Sequence, residues 1–389
     1  MDGKTVKSWN EALELVRNDC TINFVAMAVT QWNALSIDAL LFYLEDIGYE
    51  INALIVIAEH YSAGYLIQES YFTNKRAVYY RLPYTKGVHD IEPRQEKAHT
   101  GFVGKMKDVC DYYRIVFDIG RKGKDFLFYS TYNHTIPDAV ILQKLGDMGR
   151  PVIVCRSEEG IGPYMGTFDK TYPPLREVKT IPELHGYFRT VFWGREIYRR
   201  LHVTYNSLTL KSTWQGLKVN ETIIPYYRKV FALRNEMVKP PVDKALIEKS
   251  IIICTASWKR HLIDDEEDFR VMKRVCDDLY GRGFHLLLKP HPRDQYYPPK
   301  AEELHCEILD VPGLTMESLC EYAQPKAVVS FASTTLVNPY VFWRIPTYCV
   351  TEMLNREKMM SYLDEIDSFK RVFKNFVRFV KDTSEIEVS

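Results

Sequence analysis

Apolar and polar positions alternate in blocks along this chain. Thr21–Val29 is an uncharged apolar run with β-branched residues, which predicts a buried strand. A polar elbow, Thr30-Gln31-Trp32-Asn33, follows, and a helix is expected from about Ser36 to Asp46, closed by Gly48. With the next strand, Ile51–Ile57, this makes a βαβ unit and so a parallel sheet. A short helix opened by the capping box Ser8-x-x-Glu11 precedes it. Further buried strands are expected at Tyr113–Ile119, Asp125–Tyr129 and Pro151–Cys155, with a helix over Pro137–Leu145. The Tyr-, Arg- and Trp-rich stretch from Pro173 to Asn235 reads as mixed helix and loop.

Lys239-Pro240-Pro241 stiffens the chain and marks the clearest boundary. After it the βαβ pattern restarts. Strands are predicted at Ser250–Thr255, Phe284–Lys289, Lys326–Ser330 and Thr347–Val350. A helix over Glu266–Tyr280 places Phe269, Met272, Val275, Cys276 and Leu279 on one face. The fold class is therefore α/β, with two Rossmann-like domains. Expected boundaries are 1–238 and 245–360, then a helical segment over 361–389 that packs back on the first domain. In that segment Phe369, Val372, Phe373, Phe376, Phe379 and Val380 recur at helical spacing, with Lys370, Arg371, Lys374, Arg378 and Lys381 beside them. Residues 368–381 thus have two readings: a packed core stripe, or a basic amphipathic helix in peripheral contact with the inner membrane.

Charge narrows the classes. Lys and Arg number 51 and Asp and Glu 51, so a dedicated nucleic-acid binder lacks its basic surplus. No run approaches the roughly 18 apolar residues of a membrane span, and Met1-Asp2-Gly3-Lys4 does not open a secretory signal. The eight cysteines form no C-x-x-C pair, which fits a reduced cytoplasmic setting and indicates no zinc site. Neither G-x-G-x-x-G nor a P-loop follows the first strand, so dehydrogenases and NTPases have no support.

Candidate chemistry gathers where strands end, the place ligands occupy in open α/β sheets. Ser157-Glu158-Glu159-Gly160 pairs two carboxylates, suited to a general base, with a glycine that lets the backbone turn. A solvated acidic turn is the plain alternative. Leu288-Lys289-Pro290-His291-Pro292 presents an ammonium and an imidazole on a proline-stiffened loop, suited to a departing phosphate. Ser330-Phe331-Ala332-Ser333-Thr334-Thr335 feeds hydroxyls into a helix start, either as an anion cradle or as an ordinary cap. Thr255 and Ser257, with Trp258, could contact a nucleotide, whereas His285, inside its strand, reads as packed core. The acidic run Asp264–Asp268 reads as the first turn of a helix rather than a metal site.

These motifs, in this order, resemble bacterial sialyltransferases of the GT-B architecture, in which two Rossmann-like domains face across a cleft. The kin suggested are lipooligosaccharide sialyltransferases and capsular polysialyltransferases, families 52 and 38. The elbow containing Thr30, Gln31 and Trp32 is also similar, and is expected on the acceptor side with Gly160. Ser333-Thr334 stands where that group usually has two serines. The resemblance implies transfer of sialic acid from CMP-sialic acid to a hydroxyl of a cell-surface glycan, with inversion and without metal or other cofactor. By it Glu158 or Glu159 is the base and His291 serves the leaving phosphate. Lys289, Pro292, Ser330, Ser333, Thr334, Thr335, Thr255 and Ser257 are then the donor side. Partners are a nucleotide sugar and a glycan acceptor, at the cytoplasmic side of the membrane. Two rivals remain: an envelope polymer transferase using CDP-glycerol or CMP-Kdo, and a non-catalytic scaffold subunit of a capsule-assembly complex.

Overall fold

The computed structural model describes residues 4–6, 22–28, 31–58, 72–73, 78–82, 125–130, 152–156, 158, 160, 164, 203–240, 242–255, 266–291, 294, 296–309, 314–358 and 363–388. The expected elements at Ser8–Val16, Tyr113–Ile119 and Pro137–Leu145 lie outside them, as do Thr30, Glu159, Ser257 and Pro292.

The chain divides into two units. The first comprises Met1–Pro163 and Thr167–Leu208, the second Tyr164–Gly166 and Thr209–Ser389. The first holds β1 (Lys4–Val6), β2 (Ile22–Ala28), β3 (Ile51–Ala58), β4 (Val78–Leu82), β5 (Asp125–Ser130), β6 (Val152–Arg156) and β7 (Val203–Asn206). Their order is β1-β4-β3-β2-β5-β6-β7, and every pairing is parallel. The helix Gln31–Asp46 packs on β2 and β3. It begins about five residues earlier than the sequence pattern suggests, so Gln31, Trp32 and Asn33 are its first turn rather than a loop. Gly48 ends it at φ +102°, a conformation that Cβ-bearing residues resist.

The second unit opens on the antiparallel hairpin of β8 (Leu210–Thr213) and β9 (Gly216–Val219). Its main sheet joins β10 (Ser250–Cys254), β11 (His285–Lys289), β12 (Cys306–Ile308), β13 (Ala327–Ser330), β14 (Thr347–Cys349) and β15 (Arg378–Phe379). Their order is β12-β11-β10-β13-β14-β15, again parallel throughout. Counted within the unit this is 3-2-1-4-5-6, the doubly wound order, and with β1 set aside the first sheet has it too. The expectation of two Rossmann-like domains holds.

Strand alternation sorts the side chains of the second sheet. Ile251, Ile253, Leu286, Leu288 and Val329 join Met272, Val275, Cys276 and Leu279 of the helix Glu267–Gly281 in one buried core. Truncating Leu279, fully buried there, to Ala would cost about 2–5 kcal/mol. Alternation sends Cys254 and Lys289 to the opposite face. There Cys254 Sγ lies 4.0 Å from Met316 Sδ, on the helix Met316–Tyr322.

Two boundaries differ from the sequence expectation. The units change at Leu208–Thr209, not at residue 238. The helix Ile224–Met237 already belongs to the second unit, where Tyr227 and Phe231 pack on Phe342 and Trp343. The proline run therefore separates two helices of one unit. Nor is 368–381 a continuous helix. The helix Leu363–Phe373 ends, the chain turns at 374–376, and Arg378–Phe379 joins β14 as an edge strand. Phe369, Phe373, Phe376 and Val380 are buried, and residues 363–388 belong to the second unit. Lys370 pairs with Glu352, and Arg378 donates to the Tyr348 hydroxyl at 3.2 Å.

Candidate functional site

The strand order of the second unit places its topological switch between β10 and β13, and the site grows from there. The ends of β10, β11 and β13 deliver Cys254-Thr255, Lys289-Pro290-His291 and Ser330 to one sheet edge. Ser330 Oγ spans the switch, donating to the Cys254 carbonyl at 2.9 Å. Thr255 is the second tie. Its N–H donates to the Lys289 carbonyl at 3.3 Å, while its hydroxyl accepts the His291 N–H at 2.8 Å. Thr255 and Ser330 are both buried, and their hydroxyls tie the ends of these strands together. From the other side the His291 carbonyl accepts the Asp294 N–H at 2.7 Å. His291 thus sits half-buried on a loop bonded at both its backbone groups.

The hydroxyl run ends in the helix Thr334–Trp343. Ser333 is its N-cap, in extended conformation, accepting from the Thr335 N–H at 3.4 Å and the Thr335 hydroxyl at 3.1 Å. Ser333, Thr334 and Thr335 are all half-exposed. A helix start carries unpaired N–H groups and partial positive charge, so this end favours an anion. Ser333 is the N-cap of this helix.

Beneath the loops lies a polar group that the sequence pattern does not announce. Glu317, in the first turn of Met316–Tyr322, is buried and accepts from Asn338 Nδ2 at 2.7 Å. Burial raises its pKa above the ordinary carboxylate range, while the Asn338 bond and the Lys289 charge pull it partly back. Burial likewise pushes the Cys254 thiol up to about 12, against the opposing pull of Lys289 and Thr335. Lys289 therefore acts electrically on both groups below the switch point. A lone Glu within an unremarkable helix carries no sequence signal; only the fold brings Asn338 to it.

His285 is a tie between strands. Its Nδ1 lies 2.8 Å from Ser250 Oγ and its Nε2 3.1 Å from Glu307 Oε1, across β10, β11 and β12.

In the first unit the carboxylate motif follows β6. Glu158 is buried, and Gly160 takes φ +105°, the turn its glycine was expected to allow. The helix Gln31–Asp46 reaches it through Asn33 and Ser36. Asn33 Nδ2 donates to the Glu158 carbonyl at 3.3 Å, and Ser36 Oγ accepts the Glu158 N–H at 3.0 Å. Trp32, in the same first turn, is half-buried. Asn33 and Ser36 stand three apart, one helix face, and that spacing of polar residues in an apolar helix was the available signal.

A family model for alpha-2,8-polysialyltransferases (POLYST) matches residues 142–351, more than half of the chain. The chain belongs to this family. The matched stretch contains Glu158, Lys289, His291 and the Ser330–Thr335 run. This member of the polysialyltransferase family is a glycosyltransferase, specifically a sialyltransferase, working between a nucleotide-sugar donor and a glycan acceptor. No curated protein matches the sequence.

Among solved structures, an alpha/beta-galactoside alpha-2,3-sialyltransferase from Photobacterium phosphoreum is similar at TM-score 0.47 and 11% identity, covering 94% of this chain and 99% of that one. A sialyltransferase from Photobacterium damsela gives 0.49 and 10%, over 92% and 81%. A UDP-GlcNAc 2-epimerase from Methanocaldococcus jannaschii gives 0.48 and 10%, over 93% and 94%. The assignment rests on the family match and not on these likenesses. No helix among the described residues is long and apolar enough to cross a membrane.

Proposed function

We propose that this polysialyltransferase-family enzyme moves sialic acid from CMP-sialic acid to a hydroxyl of a growing cell-surface glycan, with inversion and without a metal ion. The acceptor in this reading is a lipooligosaccharide or a capsular polysaccharide, and the alpha-2,8-polysialyltransferase description of the family supports a polysialic acid chain. The observation that carries the chemistry is the grouping of Lys289, His291 and the Ser333 helix start at one switch point, since all three favour a departing phosphate.

In this reading Glu158 or Glu159 takes the proton of the acceptor hydroxyl, and Glu158 is the one whose backbone is held by the helix Gln31–Asp46. The freed oxygen forms its bond to the anomeric carbon from the face opposite CMP. The bond from that carbon to the phosphate oxygen breaks, its electron pair stays with CMP, and the configuration inverts. His291 stabilises or protonates the leaving phosphate, Lys289 supplies fixed positive charge, and Ser333 and Thr334 donate hydrogen bonds to it. Thr255 and Ser330 keep these groups in register. Because cationic and dipolar groups of the chain neutralise the phosphate, activity should persist in EDTA. Loss of activity on chelation, restored by magnesium or manganese, would overturn the metal-free part.

The donor is tested directly. Purified protein is incubated separately with CMP-sialic acid, CDP-glycerol and CMP-Kdo, and nucleotide release is measured. Release of CMP from CMP-sialic acid alone supports the reading. Turnover of CDP-glycerol or CMP-Kdo instead would replace it.

A further inference from the structure

The backbone of Glu158 is held by a directed chain of hydrogen bonds that reaches a different element. Ser36 and Ser207 are fully buried, and their hydroxyl oxygens are 2.9 Å apart. Ser207 Oγ donates to the Arg156 carbonyl at 3.0 Å, and the Ser207 N–H donates to the same carbonyl at 2.9 Å. A serine hydroxyl has one proton, and that of Ser207 is already given to Arg156. Ser36 must therefore be the donor to Ser207. Its own oxygen is then left to accept the Glu158 N–H at 3.0 Å.

The order is fixed as Glu158 N–H to Ser36, Ser36 to Ser207, and Ser207 to the Arg156 carbonyl. Such chains polarise one another in a dry interior. This one bridges the last residue of β6 and the residue two beyond it. Asn33 Nδ2 adds a hold on the Glu158 carbonyl at 3.3 Å. Both backbone groups of Glu158 are thus bound by side chains of the helix Gln31–Asp46. With the N–H and C=O directions set, the Cα–Cβ direction follows, and the carboxyl has little freedom beyond its own rotamers.

We propose that Ser36 is a positioning residue for the reaction: through Ser207 and the backbone of Glu158 it aims the carboxylate at the acceptor hydroxyl. The inference rests on the reading of Glu158 as the base. Misplacing a reacting group by about 1 Å can cost on the order of 10²-fold in rate, so a hydroxyl that touches no substrate can still govern turnover.

The test measures steady-state transfer to a sialylated acceptor in the full-length protein, for Ser36→Ala, Ser207→Ala, Glu158→Gln and the double variant Ser36→Ala/Glu158→Gln. Ser36→Ala should lower kcat by about 10- to 100-fold while KM for CMP-sialic acid stays within about twofold. Ser207→Ala, one bond further out, should lose about 3- to 10-fold and carries the test if Ser36→Ala fails to fold. In the Glu158→Gln background the Ser36→Ala change should cost nothing more, because the group it aims is gone.

The proposal is overturned if Ser36→Ala or Ser207→Ala keeps wild-type kcat while Glu158→Gln is nearly inactive. It is also overturned if the Ser36→Ala loss persists undiminished in the Glu158→Gln background, which would mark a general structural role. Wild-type turnover by Glu158→Gln alone would instead remove the base assignment itself, a result distinct from the other two.

Discussion

The two units run the same strand path and put opposite chemistry at its end. In the second, the sheet edge at β10, β11 and β13 carries Lys289, His291 and a helix start, all suited to an anion. In the first, the end of β6 carries the carboxylate of Glu158, held through its backbone by Asn33 and Ser36. The supports differ as well. His291 is fixed by its neighbouring strand through Thr255, within one βαβ frame. Glu158 is fixed by a helix more than a hundred residues away in sequence. A parallel sheet is indifferent to the sign of the charge it displays; the loops and helix starts decide it.

The largest effect should come from removing the end of the chain, which completes the sheet and core of the second unit. Deleting residues 368–389 takes away β15 and the buried Phe369, Phe373, Phe376 and Val380. Each large core truncation costs about 3–5 kcal/mol, and the sum exceeds the ordinary stability of a domain. Insoluble protein, or loss of the cooperative thermal transition, is expected. A deletion with unchanged melting that also abolished binding to anionic vesicles would support the membrane reading of this segment instead.

Next in size are the two chemical poles. His291→Ala should lower transfer by about 10²- to 10⁴-fold, the range for a lost acid catalyst, with melting nearly unchanged because the ring is half-exposed. Glu158→Gln should do the same from the other pole. Equal losses with unchanged donor binding would sharpen the contrast between the two units. Full activity in either variant would break it. A smaller loss belongs to Ser333→Ala, which removes a helix cap and, in the proposed reading, a hydrogen-bond donor to the leaving phosphate. Stability should fall by about 0.5–2 kcal/mol, and KM for the donor should rise. A stability loss with unaltered donor KM would reduce Ser333 to its capping role.

Legibility in the sequence followed locality. β10 is buried at all five positions and reads as an uncharged run, and β11, β13 and β14 announced themselves similarly. β12 and β15, three and two residues long, sit at the sheet edges with exposed positions and offer no period to detect. The Phe stripe kept a helical spacing through Val380, yet the chain turned at 374–376, since burial by a strand can use the same residues. The K-P-H loop and the hydroxyl run were visible because their chemistry lies within a few adjacent residues. The frame around them was not. Thr255 and His291 lie 36 positions apart and Ser36 and Ser207 171 apart, and no local pattern joins such pairs.

The smallest expected effect tests the buried carboxylate beneath the strand ends of the second unit. Glu317 has no counterpart described under the other pole, and burial raises its pKa in the folded protein. The unfolded chain then loses this proton at lower pH than the folded one does. The stabilisation that the protonated side chain provides is therefore complete below the ordinary glutamate value of about 4.3, and drains away as pH rises through the folded value. Glu317→Gln keeps an oxygen for Asn338 Nδ2 and never ionises, so it escapes that drain. Its melting temperature should match wild type near pH 4 and exceed it increasingly toward pH 8. The nearby Lys289 charge opposes this by favouring the ionised form, which keeps the gain modest. If the variant is instead less stable than wild type at pH 8, the ionised Glu317 is a net partner of Lys289. The loops of the second unit would then rest on a buried ion pair, whereas the backbone of Glu158 in the first rests on the neutral side chains of Ser36 and Asn33.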